Sequence, residues 1–162
     1  MEFFTPLPRT FYERSAAEVA PELLGRYLVR SVGGERLVLR LVEVEAYLGA
    51  ADRAAHAWNG RRTARNESLY LAGGHAYVYF VYGMHFCLNA VTGGGEEGGA
   101  VLLRAGEPVA GAERMARHRG LSRPPRPGDL AGGPGKLCQA LRVDRTLDGG
   151  RLDRGELLLT AG

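Results

Sequence analysis

The chain has 162 residues, of which 45% are hydrophobic and 24% charged, with a formal net charge of +3. That is the length of one domain, enough to bury roughly two-thirds of the unfolded surface without a disulfide or a metal. The balance excludes wholesale disorder, and no apolar run reaches the ~18 residues of a membrane span. The N-terminus lacks the basic start and apolar core of a signal peptide, so membrane and secreted settings both lose support.

Lys136 is the only lysine, so 20 of the 21 basic residues are arginine. Arginine grips phosphate through two parallel donors and stacks on flat groups, which fits an anionic partner. A genomic base composition rich in Gly, Ala and Arg codons explains the excess equally well. Cys87 and Cys138 match no zinc spacing and sit among apolar residues. They read as reduced, buried thiols.

In chain order, Met1 to Arg9 holds two prolines and no clear period, and reads as an arm. Ser15 with Glu18 forms a capping box for a helix over Ala16–Leu24, closed by Gly25, despite Pro21 inside it. Tyr27–Val32, Gly33-Gly34 and Leu37–Glu45 predict a hairpin. Ala50–Asn66 is polar, irregular and arginine-rich. Ala76–Tyr82 is a strand, and His85–Thr92 returns alongside it after Gly83. GGGEEGG at Gly93–Gly99 is a turn, and Ala100–Ala105 is a further strand. Pro108 near the start and Gly120 at the end mark Val109–Arg119 as a helix. Leu121–Pro134 is an exposed loop rich in Pro, Gly and Arg, Lys136–Leu141 a short helix, and Leu157–Thr160 a last strand. Many strands and few helices predict an α+β fold around one mostly antiparallel sheet.

Several of these segments carry chemistry. Glu43 and Glu45 lie two apart on a strand, so both carboxylates share a face beside a core. A partly desolvated carboxylate can serve as a general base or stabilise a nearby cation, and it can equally be an arginine-paired structural glutamate. Tyr77 and Tyr79 share a face of the next hairpin, an arrangement usual for sheet surface. Tyr82 falls at its tip, where there is little core to pack into, and beside arginines it could wedge between nucleic-acid bases. Glu43, Glu45, Asp52 and His56 could be imagined as metal ligands, although no paired-histidine spacing supports them. There is no G-x-S-x-G elbow. GGPGK at Gly132–Lys136 lacks the Ser or Thr of a phosphate loop, since Leu137 follows the lysine.

Four blocks in order resemble the alkyladenine (3-methyladenine) DNA glycosylase family of bacteria and animals. They are LVEVEAYLGAADRAAHAWNGRRTARNESLY from Leu41, AYVYFVYGMHFCLNAV from Ala76, GAVLLRAGEP from Gly99 and GGPGKLCQAL from Gly132. The resemblance implies one glycosylase domain over residues 1–162, with a curved, mostly antiparallel sheet, flanking helices and a protruding β-hairpin. It implies an enzyme that flips a damaged purine out of double-stranded DNA and cleaves its N-glycosidic bond.

By the same resemblance Glu45, the Glu of the E-A-Y motif, activates water. Arg104 lies near that water and the DNA backbone, and Glu43 is a supporting residue. Tyr47, His56 and Tyr79 stack around the flipped purine, whose positive charge when alkylated favours electron-rich faces. Asn89 sits at the purine edge, where it obstructs the amino group of normal guanine. Tyr82 intercalates into the gap in the duplex. Arg61 and Arg65 are candidate phosphate contacts, and an ordinary solvated face accounts for them nearly as well.

No metal or organic cofactor is implied. With a single lysine lying away from these residues in sequence, a water-using, monofunctional reaction is expected over Schiff-base strand cleavage. The expected setting is a cytoplasmic monomer, nucleoid-associated if the source is bacterial, with no membrane. The family usually continues past the C-terminal end of this sequence, in a segment that completes the sheet and supplies backbone near the water. Its absence predicts that hydrolysis suffers more than lesion binding. A lesion-binding protein with weak hydrolysis, or a metal-dependent hydrolase, are the alternative functions.

Overall fold

The computed structural model describes residues 4–162. A four-residue helix, α1 (Arg9–Tyr12), leads into α2 (Ala16–Leu23), whose first turn is capped as predicted: Ser15 Oγ accepts from the Glu18 N–H at 3.4 Å. Pro21 is tolerated because its face is exposed while Val19 and Leu23 on the other face are buried. Then follow β1 (Tyr27–Val32), β2 (Glu35–Tyr47), β3 (Ala76–Val81), β4 (His85–Thr92), β5 (Gly99–Ala110), α3 (Ala112–His118), α4 (Pro134–Leu141) and β6 (Leu157–Thr160). The strands form one antiparallel six-stranded sheet in the order β3-β4-β5-β2-β1-β6, which is the α+β architecture expected.

Two faces of the sheet do different work. The helix face carries the main core, in which Leu39, Leu88 and Leu103 meet Met115, Leu137 and Leu141, all fully buried. Burying one such side chain contributes about 1.5–3 kcal/mol. The opposite face carries a smaller cluster, Ala57, Leu69, Tyr70, Tyr77, Val91 and Ala100, roofed by the segment between β2 and β3.

Paired bulges bend the sheet between these faces. Along β2, Leu37, Leu39 and Leu41 point into the main core, but the next residues packed against it are Val44 and Ala46. Val42 is the extra residue on β2 and Arg104 the extra residue on β5, since Leu41 pairs Gly106, Glu43 pairs Ala105 and Val44 pairs Leu103. A bulge shifts the alternation and re-aims side chains. Without it, period-two alternation from Leu41 would send Glu45 and Tyr47 into the leucine core.

The structure corrects three sequence expectations. β5 runs on to Ala110, and the helix begins only at Ala112, not at Val109. The long β2 offers partners that far, with Leu39 opposite Pro108 and Val38 opposite Ala110 across a register shift, where a residue without an N–H is accommodated. Gly111, at φ +80, makes the turn into α3. The N-terminal arm is docked where it is described: Leu7 is buried, its N–H donates to Leu159 O at 2.9 Å, and Pro6 bridges Thr160. Residues 1–3 of that arm lie outside the described residues. The loop before α4 is exposed except at its end, where Leu130 and Ala131 are buried and the Gly106 N–H donates to Ala131 O at 3.0 Å.

Candidate active site

The bulged stretches of β2 and β5 bring three charges together on the roofed face. Arg104 Nε donates to Glu43 Oε1 at 2.6 Å, and Nη1 donates to Glu45 Oε2 at 3.0 Å. The other oxygen of Glu45 accepts from Tyr47 Oη at 2.6 Å. Both oxygens of Glu45 are thus held, while the side chain stays 45% exposed and reachable by water. The hydrogen bond to Glu43, with the nearby carboxylates, holds the Arg104 guanidinium above its ordinary pKa. Burial first, and the bond to Glu45 second, push the Tyr47 phenol up to about 12, so it stays a donor at neutral pH.

Beside this clamp, Tyr47, His56, Tyr77, Tyr79 and Asn89 line a cavity of about 40 Å³. Its aromatic wall is tightly built. His56 meets Tyr79 edge-on at 4.3 Å between ring centroids, and Tyr79 lies 5.3 Å from Tyr77. His56 Nδ1 is hydrogen-bonded to Tyr77 Oη at 2.8 Å. Partial burial, then the Arg65 and Arg61 charges, lower the His56 pKa below 6.5 and favour the neutral ring at neutral pH. Burial raises the Tyr79 and Tyr77 phenols well above their ordinary value.

Local sequence explains this wall. Asp52 accepts from the Leu48 N–H at 2.9 Å and the Ala54 N–H at 3.0 Å, folding the chain back after β2 so that His56 faces β3. Buried Asn66 donates to His56 O at 3.2 Å and Arg61 O at 2.9 Å. Gly98, at φ +72, closes the floor, where a Cβ would come within 2.6 Å of Ala57 Cβ. Asn89 on β4 is buried and donates to Tyr77 O at 3.3 Å.

The β3–β4 hairpin stands out from the sheet with Tyr82 88% and Met84 79% exposed at its tip. Tyr82 and Gly83 have φ +55 and +63, and the Met84 N–H donates to Val81 O at 3.0 Å. This is the signature of a type I′ turn. The left-handed backbone costs a tyrosine about 1–2 kcal/mol, a strain that tends to persist where a side chain has work to do. Arg61, Arg65, His56, Tyr79 and Tyr82 all line a second hollow of about 410 Å³ on one limb of the hairpin. Arg65 Nη2 donates to Phe80 O at 3.1 Å, while the Arg61 side chain is exposed.

All nine site residues read from the sequence therefore fall in one continuous region, with Glu43 joined through Arg104. Three helpers escaped that reading: Tyr77 as the partner of His56, Asn66 as the anchor of its loop, and Asp148. Asp148 accepts from the Val78 N–H at 2.8 Å and from Ser68 Oγ at 2.9 Å, tying down the outer edge of β3. Nothing local in the sequence marks Asp148, because its partners lie 70 and 80 residues away.

The metal-ligand reading is corrected. Among the described residues no three of His, Cys, Asp and Glu come together as a cation site. Glu43 and Glu45 face Arg104, Asp52 clasps backbone, and His56 pairs with a tyrosine. Both cysteines are free and buried, and burial raises their thiol pKa values. No helix among the described residues is long and apolar enough to cross a membrane.

Comparison with known proteins finds relatives over most of the chain. A profile of the methylpurine-DNA glycosylase family matches residues 10–162. A protein of Streptomyces avermitilis is 52% identical over 145 residues, covering 90% of this chain and 67% of that protein. One from Methanocella arvoryzae is 48% identical over 157 residues, 96% of this chain and 77% of its own length. One from Natranaerobius thermophilus is 42% identical over 139 residues, 86% of this chain and 70% of its own. All three are provisionally named 3-methyladenine DNA glycosylase. The chain belongs to the methylpurine-DNA glycosylase family.

Proposed function

We propose that this chain binds double-stranded DNA, turns a damaged purine out of the stack and hydrolyses its N-glycosidic bond, leaving an abasic site. The observation that carries the reading is the Glu45 carboxylate, pinned by Arg104 and Tyr47, open to water, and bonded to a tyrosine that itself lines the aromatic pocket. As the C–N bond breaks, its electron pair leaves with the base and the sugar gains oxocarbenium character. Glu45 stabilises that charge and takes a proton from the attacking water, whose oxygen bonds to the anomeric carbon. Arg104 and Tyr47 keep the carboxylate aimed.

Tyr47, His56 and Tyr79 form the stacking surfaces for the flipped base. A neutral His56 leaves that surface hospitable to a cationic alkylated purine. Asn89 stands at the base edge and discriminates against the guanine amino group. Tyr82 fills the gap in the duplex, and Arg61 and Arg65 contact phosphates beside it. Lys136, the only lysine, lines a hollow on the other limb of the hairpin and is absent from the lining of the aromatic cavity. That supports a water-using, monofunctional reaction acting on methylated, deaminated or etheno purines. The protein acts as a monomer on chromosomal DNA in the cytoplasm.

The test is a labelled duplex with one hypoxanthine or 1,N6-ethenoadenine, incubated with wild type or Glu45→Gln. Strand cleavage only after hot alkali is expected with wild type. The variant should lose about 10²–10⁴-fold in base release while still binding the lesion. Cleavage without alkali would overturn the monofunctional assignment. Tight binding without base release by wild type would make the chain a lesion-binding protein instead.

A further inference from the structure

We propose that the groove on the far limb of the β3–β4 hairpin holds the phosphate backbone of the undamaged strand. The inference rests on the reading of the chain as an enzyme that opens a duplex. The hairpin separates two hollows. One, bounded by Phe80, Val81 and Tyr82, leads to the aromatic pocket. The other, of about 660 Å³, is bounded by Met84, His85 and Phe86 on the opposite limb and by α4 and the segments flanking it.

The lining of this second hollow is cationic. Arg119, Lys136 and Arg142 face it with His85 and His118, against a single acid, Asp144. Asp144 Oδ1 accepts from the Thr146 N–H at 2.9 Å and from its hydroxyl. Arg119 is a fixed charge, its Nε donating to Asp129 O at 3.1 Å and Nη1 to Gln139. Lys136 and Arg142 are exposed, and among the described residues neither side chain makes a hydrogen bond or ion pair. The floor is kept close by Gly135, where a Cβ would lie 2.7 Å from the His85 ring.

Two exposed apolar residues at a hairpin tip, Tyr82 and Met84, form a wedge with one limb on each side. A wedge driven between stacked bases has a backbone to either side of it. The strand carrying the flipped nucleotide belongs on the limb beside the aromatic pocket. The continuous complementary strand then falls to the Met84–Phe86 limb, where two unpaired cations and one fixed cation await phosphates. Such contacts add affinity without reading sequence, and each releases counterions.

The experiment measures binding of wild type and the double variant Lys136→Ala/Arg142→Ala over a range of salt. The probes are a lesion-bearing single strand, the same lesion in duplex, and that duplex with neutral methylphosphonate linkages in the complement opposite the lesion. Both residues are exposed, and thermal melting checks that the variant folds. The expected result is weaker duplex binding, a salt slope smaller by about 2, and unchanged single-strand binding. On the methylphosphonate duplex, wild type and variant should bind alike. Equal weakening on the single strand would assign these cations to the lesion strand and overturn the proposal. No change on any probe would overturn it too. Base release by wild type, followed in parallel, reports on the glycosylase reading separately from the groove.

Discussion

The carboxylate clamp and the base pocket are neighbours built on opposite plans. The clamp joins Glu43, Glu45 and Tyr47 of β2 to Arg104 of β5, two adjacent interior strands, through charge-assisted bonds of 2.6 to 3.0 Å. The pocket takes its wall from a loop held by Asp52 and Asn66 and from β3, the outermost strand of the sheet, and it encloses about 40 Å³. A purine needs more room than that, and the adjoining hollow of about 410 Å³, which shares His56, Tyr77 and Tyr79, offers it. The difference teaches that chemistry is placed where the sheet is supported on both sides and recognition where its edge meets a loop.

The sharpest way to break this comparison is Arg104→Met. Removing the cation that holds both glutamates should lower single-turnover base release by about 10²–10³-fold while lesion binding changes little. An equal loss of binding would make Arg104 part of recognition and erase the division. Glu43→Gln should cost less, roughly tenfold in kcat with KM unchanged, because Arg104 keeps Glu45 and an amide oxygen can still accept from its Nε, so only the charge of its shortest partner is lost. A fall in melting temperature matching the loss of rate would reduce Glu43 to a structural role.

On the pocket side, Asn89→Ala should leave lesion excision nearly intact and raise release of undamaged guanine several-fold, read by liberated base from unmodified DNA. The smallest effect expected is a tilt with pH. His56 titrates below 6.5 in the folded chain, so the folded state disfavours its proton. Stability should therefore begin to fall as pH drops below 6.5, and the loss completes as pH passes through the lower folded value. Over the same window, binding of a cationic lesion such as 7-methylguanine should weaken relative to neutral ethenoadenine as pH falls. His56→Gln should flatten both trends in melting and competition assays.

Much of this was legible in the residues. Turn glycines with alternating apolar residues placed both hairpins, and Ser15 with Glu18 marked the start of α2, because each signal acts within a few positions. The E-A-Y stretch and the three tyrosines from Tyr77 to Tyr82 drew attention for the same local reason. The paired bulge at Val42 and Arg104 was not legible. It depends on the register of two strands about sixty residues apart, and only that register shows that Glu45 leaves the leucine core. β5 outran its predicted end because β2 gave it a partner, overriding the proline. Tyr77 and Asp148 were missed as supports because their partners come from other segments, on which the sequence around them is silent.

Tyr82 is also a trap for anyone seeking a more rugged protein. Its left-handed backbone is the kind of position where exchange to glycine or asparagine relieves about 1 kcal/mol of local strain. A screen for thermal tolerance alone would favour that exchange and discard the proposed wedge with it. The tip is a small standing sacrifice of durability, and under the proposed function its survival in a library of variants would report selection for work on DNA.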